Sequence, residues 1–254
     1  MNGLGDAPDV VFDGPASAMA AAVATLADWD FCMVGGLAVM VRVGGEHRAT
    51  TDLDVVFDNE TDTPTTASLV RAGVAVDAAG VQRVTVGGVS LDVIDTFALP
   101  DDLDALPESP KDRLFVTAHR WAYETATTCR LISNQTRFEA RVASAAALVT
   151  TKAHALRWAT ANRRATKRSS DLYDLYRLAD VLPASVVEPL RGAPWNLARQ
   201  VADALSEDLA DLGQAAALLR SSPSPNIAAV EPNDFGDVVG DLIEALVSSP
   251  NHGD

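Results

Sequence analysis

Lysine is nearly missing from this sequence: Lys111, Lys152 and Lys167 stand against 17 arginines in 254 residues. Cysteine is as scarce. Cys32 and Cys129 lie far apart without metal-ligand spacing, which excludes a thiolate metal centre and leaves buried free thiols as the expectation. Aromatic residues make up 6% of the chain, so few side chains offer a face on which bases could stack; Trp121, Tyr123, Trp158 and Tyr173 are the candidates near the basic region described below. No stretch approaches the roughly 20 apolar residues of a membrane span. The first residues, "MNGLGDAPDVVFDG", hold neither a basic segment nor the apolar run of a signal peptide. A cytoplasmic protein without membrane association is therefore expected.

What is present is a globular composition, 48% hydrophobic, sufficient for a sizeable core in one large domain or two small ones. The net charge of −15 is unevenly distributed. Residues 111–168 hold twelve Lys and Arg against Asp112, Glu124 and Glu139, a local charge of +9, which leaves −24 for the remainder. Such a segment can bind phosphates locally, and a solvated helix face accounts for it equally well.

Along the chain, "ASAMAAAVATLADW" (16–29) reads as an Ala-rich helix following Pro15, and "FCMVGG" as a short strand ending in a glycine turn. "LAVMVRVGG" (37–45) fits helix or strand. "TDLDVVFD" is a strand and "TASLVRAGV" a helix. "VQRVTV" and "VSLDVID" flank Gly87 and Gly88, the signature of a two-residue hairpin. After a Pro- and Asp-rich connection (100–110) the pattern turns mainly helical, through "ARVASAAALVTTKAHALRWATAN", "SSDLYDLYRLADVL", "NLARQVADALSEDLADLGQAAALLR" and "FGDVVGDLIEALVSS", with "SSPSPN" (221–226) as a loop. The expected organisation is an α/β part over residues 1–110 and an α-helical part over 111–254 that closes a ligand cleft.

A strand alternates its faces, so Asp52 and Asp54 point one way while Leu53 and Val55 point the other. Two carboxylates so close repel and raise each other's pKa unless they face water or share a cation. Asp92, in "VSLDVID", is a third acid on an otherwise apolar strand. If the two strands are neighbours, three carboxylates converge, and Mg²⁺ with substrate phosphates is the natural occupant. Gly35 and Gly36 follow a strand, where absent side chains would let backbone N–H groups approach a triphosphate.

In this order, a glycine pair after a strand, a helix, Asp-Leu-Asp at 52–54 and a strand acid at Asp92 resemble the polymerase β-like nucleotidyltransferase superfamily. The longer stretch "VGGLAVMVRVGGEHRATTDLDVVF", with Arg48, Thr50, Asp52, Leu53 and Asp54, is similar to the AbiEii/AbiGii-type (MenT-like) nucleotidyltransferases, toxins of type IV toxin–antitoxin and phage-defence systems. "LVTTKAHALRWATANRRATKRSSDLYDLYRL" is similar to that family's downstream lysine, arginine and D-x-x-D-L segment. The resemblance spans residues 30–180. It departs from the superfamily at Gly36, where a serine is usual, and in the fifteen residues between Gly36 and Asp52.

The resemblance implies an α/β (α+β) nucleotidyltransferase-fold mixed sheet flanked by helices, followed by a helical domain, and a metal-dependent transfer of a nucleotide from an NTP. Asp52, Asp54 and Asp92 would hold one or two Mg²⁺, with Asp92 alternatively the base that takes the acceptor's proton. Gly35, Gly36, Arg48, Thr50 and Lys152 would bind the nucleotide, Lys152 meeting the β- and γ-phosphates and Asp171 orienting it. Arg163, Arg164, Lys167 and Arg168 would track RNA. The acceptor implied is the 3′ end of tRNA, with inhibition of translation as the outcome and a cognate antitoxin as partner. Other readings stay open: transfer to an aminoglycoside-like small molecule or a protein hydroxyl, or a catalytically silent nucleotide-binding module. Likewise, Asp171 and Asp174 with Arg168 and Arg177 fit a surface ion-pair ladder, and Lys152 fits a solvated helix lysine.

Overall fold

Strands alternate with helices at first and give way to helices later. The computed structural model describes residues 10–12, 15–44, 47–48, 50, 52–133, 136–158 and 165–248. In chain order the elements are β1 (Val10–Phe12), α1 (Pro15–Thr25), β2 (Phe31–Val34), α2 (Gly35–Val43), β3 (Asp52–Asp58), α3 (Thr65–Arg71), β4 (Arg83–Val86) and β5 (Val89–Thr96). A 3₁₀ turn at Leu103–Ala105 leads to α4 (Pro110–Glu124), β6 (Thr127–Ser133), β7 (Thr136–Val142) and α5 (Ala145–Trp158). The chain ends in α6 (Ala165–Val181), α7 (Pro183–Arg191), α8 (Leu197–Asp208), α9 (Leu212–Arg220), α10 (Pro225–Ala228) and α11 (Pro232–Val247).

By contact the chain forms two interleaved units: Met1–Gly44 with Ala49–Ala98 and Ala122–Ser144, and Gly45–Arg48 with Leu99–Trp121 and Ala145–Asp254. The first is a seven-stranded mixed sheet in the order β1-β6-β7-β2-β3-β5-β4. β3 runs parallel to β5 and antiparallel to β2, and β4 is antiparallel to β5. Leu53, Val55, Leu91 and Val93 are fully buried on the core side, which fixes the opposite facing of the acids between them. α1 packs on β1, β6 and β7, α2 on β2 and β3, and α3 on β4 and β5.

The second unit is helical. α5 is packed against α6, α7 and α8, and the small side chains of Ala146, Ala147 and Ala153 allow that close approach on several sides. α11 lays Phe235, Val239, Leu242 and Leu246, a stripe at spacings of four and three, against α6, α8 and α9. Among the described residues, no helix is long and apolar enough to cross a membrane.

The hairpin at Gly87 and Gly88 is present, with Val86 paired to Val89. The ambiguous segment after Gly36 is helical, as α2. Three features differ from the pattern reading. β6 and β7 lie in the half expected to be helical, where "TTCRLIS" and "TRFEARV" pair antiparallel with Leu131 and Ala140 turned inward. The single helical run from Asn196 breaks at Asp211, whose side chain accepts the Gln214 N–H at 2.8 Å and starts α9 afresh. The loop "SSPSPN" runs into the short α10, with Pro225 at its start.

Candidate active site

The parallel register of β3 and β5 sets Asp54 opposite Asp92 and Asp52 opposite Ser90. Registered neighbours face the same side of a sheet, so all three acids converge. One oxygen from each lies within 4.8 Å of the others, and each residue is half-buried. Thr50 Oγ1 donates to the main-chain and side-chain oxygens of Asp52, both at 3.3 Å, which orients that carboxylate.

β2 delivers the glycine. Val34 pairs with Asp54, and the chain then turns into α2 at Gly35 with φ of 70°. A Cβ on Gly35 would lie 1.9 Å from Asp54 Oδ2, an impossible contact. Both the left-handed backbone and the carboxylate therefore demand glycine here. Gly36 is buried in the first turn of α2, and no side chain of Val34 caps that helix start.

These groups fit a hard cation. All three donors are carboxylate oxygens gathered on one face, the ligand set that suits Mg²⁺ or a similar divalent ion, and the glycine leaves Asp54 its room. A fourth side chain reaches the triad. Arg83 pairs with Asp92 across β4 and β5, its Nε donating to Oδ1 at 2.5 Å and its Nη2 to Oδ2 at 2.6 Å. The hydrogen bonds and charge of Asp92, with smaller pulls from Asp52 and Asp54, hold the guanidinium above its usual pKa. The motif pattern did not point to Arg83, although counting back from the two-residue turn, 86 to 89 and so 83 to 92, finds it.

In the helical unit, Lys152 of α5 meets Asp171 and Asp174 of α6. Its Nζ lies 2.9 Å from Asp171 Oδ1 and 2.7 Å from Asp174 Oδ2. Arg48 grips Asp174 in a two-pronged pair, Nε to Oδ1 at 2.8 Å and Nη2 to Oδ2 at 2.6 Å, and His47 Nε2 adds a contact at 3.1 Å. Arg48, Lys152, Asp171 and Asp174 are all buried. Burial alone would raise the Asp174 pKa, but Lys152, Arg48 and the hydrogen bond from His47 hold it well below the usual carboxylate range. Burial would likewise lower that of Lys152, and the charges of Asp171 and Asp174 raise it instead.

The expected pairing of Asp171 with Lys152 is thus present, while the Lys152 and Arg48 heads, expected on phosphates, rest on buried carboxylates. The surface ion-pair ladder is overturned: Asp171 and Asp174 are buried, Arg168 donates to the main-chain oxygens of Leu156 and Asp208, and Arg177 to the Tyr173 hydroxyl. So is the solvated lysine, since Lys152 is only 3% exposed. Asp174, the hub, was missed as a site residue; its signal was the i, i+3 spacing to Asp171 beneath a lysine-bearing helix.

Of the residues expected on RNA, Lys167 is partly exposed, Arg168 is engaged as described, and Arg163 and Arg164 lie outside the described residues. Trp121, Tyr123 and Tyr173 are buried core residues rather than stacking platforms, and the Trp158 side chain lies outside the description. Both cysteines are buried free thiols, and burial pushes Cys32 up to about 12.

No curated protein matches the chain. Among solved structures it is similar to JHP933 from Helicobacter pylori, at 16% identity over 91% of this chain and 89% of that one, with a TM-score of 0.47. It is also similar to an antigenic nucleotidyltransferase-like protein from Paracoccidioides brasiliensis, at 19% identity over 81% and 90%, with a TM-score of 0.43. The pattern of one sequence family, the nucleotidyl transferase AbiEii toxin of type IV toxin–antitoxin systems, matches residues 17–220. That span takes in Gly35, the three strand carboxylates and the whole Lys152 network, and the chain belongs to this family of nucleotidyltransferases.

Proposed function

We propose that this nucleotidyltransferase moves a nucleoside monophosphate from an NTP to the 3′ end of tRNA in the cytoplasm and so stops translation. Membership of a type IV toxin family implies an NTP substrate and an antitoxin partner. The observation that carries the reading is the convergence of Asp52, Asp54 and Asp92 above Gly35. Mg²⁺ held there would neutralise charge on the attacking and leaving oxygens of an in-line displacement.

The chain's own groups have distinct tasks in this reading. Asp52 and Asp54 hold the cation, Thr50 keeps Asp52 aimed, and Asp92 completes the ligand set or receives the acceptor's proton. Gly35 and Gly36 bring the main-chain N–H groups at the start of α2 to the phosphates. For Lys152, Asp171 and Arg48 the proposed role is to hold Asp174 and, through it, His47 in one buried network, rather than to offer a mobile charge. Lys167, with Arg163 and Arg164, supplies salt-sensitive contacts to the RNA backbone. The −24 carried outside residues 111–168 favours a second acceptor class, a cationic small molecule.

The test is a transfer assay with the purified protein, Mg²⁺, each α-labelled NTP in turn and total tRNA, beside the Asp54→Ala protein. Label on tRNA that is lost in the variant is the expected result. Label on an aminoglycoside or on protein instead would move the acceptor assignment, and full activity of Asp54→Ala would overturn the site.

A further inference from the structure

Both carboxylate oxygens of Asp92 are held by one cationic side chain. Arg83 reaches it from the neighbouring strand, opposite it in register, with the two-pronged geometry that gives guanidinium–carboxylate pairs their strength. The Arg83 side chain is nevertheless 53% exposed and that of Asp92 28% exposed, so the pair is bathed in water and can exchange partners without leaving a buried charge behind. A buried pair such as Lys152 with Asp171 has no such freedom.

We propose that Arg83 is a resident counter-charge of the cation site: it neutralises Asp92 while the triad is empty, opposes loading of a divalent ion in the absence of nucleotide, and turns to the triphosphate when nucleotide arrives. The chemistry favours such an exchange. Phosphate oxygens accept a guanidinium in the same forked geometry as a carboxylate. A divalent ion on the triad would stand close to the positive head of Arg83, and the repulsion is relieved once the guanidinium moves from the carboxylate to the phosphate. The residue thereby couples cation affinity to nucleotide occupancy, a reciprocal linkage. The proposal rests on reading Asp52, Asp54 and Asp92 as a cation site.

The experiment is calorimetric titration of the full chain with Mn²⁺, without nucleotide and then with a non-hydrolysable NTP, for the wild type, Arg83→Gln, Arg83→Lys and Asp54→Asn, each first shown to be folded by circular dichroism. Without nucleotide, Arg83→Gln is expected to bind Mn²⁺ about tenfold tighter, the scale of unit-charge repulsion on a divalent ion a few ångströms away in water. Arg83→Lys keeps the charge and is expected to stay near the wild type. With Mn²⁺ present, Arg83→Gln is expected to bind the NTP several-fold more weakly. Equal Mn²⁺ affinity in wild type and Arg83→Gln, or the same tightening in Arg83→Lys, would overturn the counter-charge. Unchanged NTP affinity in Arg83→Gln would overturn the exchange. Mn²⁺ binding that survives Asp54→Asn would instead remove the cation site itself, an outcome the Arg83 variants cannot mimic.

Discussion

On the sheet, Asp52, Asp54 and Asp92 gather like charges at half-buried positions beside an exposed arginine, whereas in the helical unit Asp171 and Asp174 are sealed in with Lys152 and Arg48. The same side chain does opposite things in the two places. Converging carboxylates at partly wet positions repel one another and favour a cation, and the pair with Arg83 offsets that repulsion at Asp92. Carboxylates closed in with as many cations are bound to the fold, and removing one member strands the rest in a medium that cannot solvate them. Activity and stability should therefore respond in opposite order to mutation in the two units.

The sharpest contrast sets Asp54→Asn against Asp174→Asn. The first is expected to lose transfer by 10³-fold or more, the scale of removing a metal ligand's charge from the transition state, while urea unfolding shows no loss of stability. The second leaves Lys152 and Arg48 without their shared anion and is expected to cost about 3–5 kcal/mol in the same unfolding measurement. Equal destabilisation by both changes would break the comparison.

A second test uses pH, through His119 of α4. Its Nδ1 lies 2.7 Å from the Phe115 carbonyl and its ring packs against those of Phe115 and His154. Burial lowers its pKa from 6.5 to about 4, outweighing the hydrogen bond to Phe115. The unfolded chain thus binds the proton first. Stability from this group is complete above pH 6.5 and falls by about 3 kcal/mol as the pH drops to about 4. Asp174 acts in a lower window, present above the ordinary carboxylate pKa near 4 and lost only as the pH falls through its depressed value. His119→Asn, which can still donate to the Phe115 carbonyl, is expected to flatten the slope between pH 4 and 6.5 in thermal or urea unfolding and to leave the steeper loss below pH 4. An unchanged slope would remove His119 from the account.

The smallest effect is at Gly35. Ala there adopts a left-handed backbone and must push Asp54 aside, which is expected to cost about 2 kcal/mol. Transfer should fall by more than that stability loss explains, because the displaced group is a proposed cation ligand. Loss of stability with full transfer would show that the carboxylate relocates without consequence.

How much of this was legible varied with the physics involved. Alternation around Asp52 and Asp54, the Gly87–Gly88 hairpin and the apolar spacing of α11 are local patterns, and each predicted its element. β6 and β7 were hidden because arginines on their outward positions, such as Arg130 and Arg141, look the same in sequence as a basic helix face. Arg141 in fact pairs with Asp30 at 2.6 Å and donates to the Tyr123 carbonyl. The triad required knowing that β3 and β5 are neighbours, which only the resemblance supplied. The burial of Lys152 and Arg48 was illegible for a related reason: Arg48 and Asp174 are 126 residues apart, and no periodicity links them.

The order of strands in the sheet has a further consequence for a chain made from one end to the other. β2, which carries Gly35 at its end, lies between β3, completed early, and β7, completed only at Val142. A ribosome that has extruded all three acids has therefore produced a sheet whose middle strand still lacks one neighbour, with the thiol of Cys32 and the side chain of Met33 on that unfinished strand. The three proposed cation ligands all lie within the first hundred residues, but a finished sheet to hold them exists only after the β6–β7 hairpin has been synthesised, so a truncated or stalled product carries the acids without the framework that aligns them.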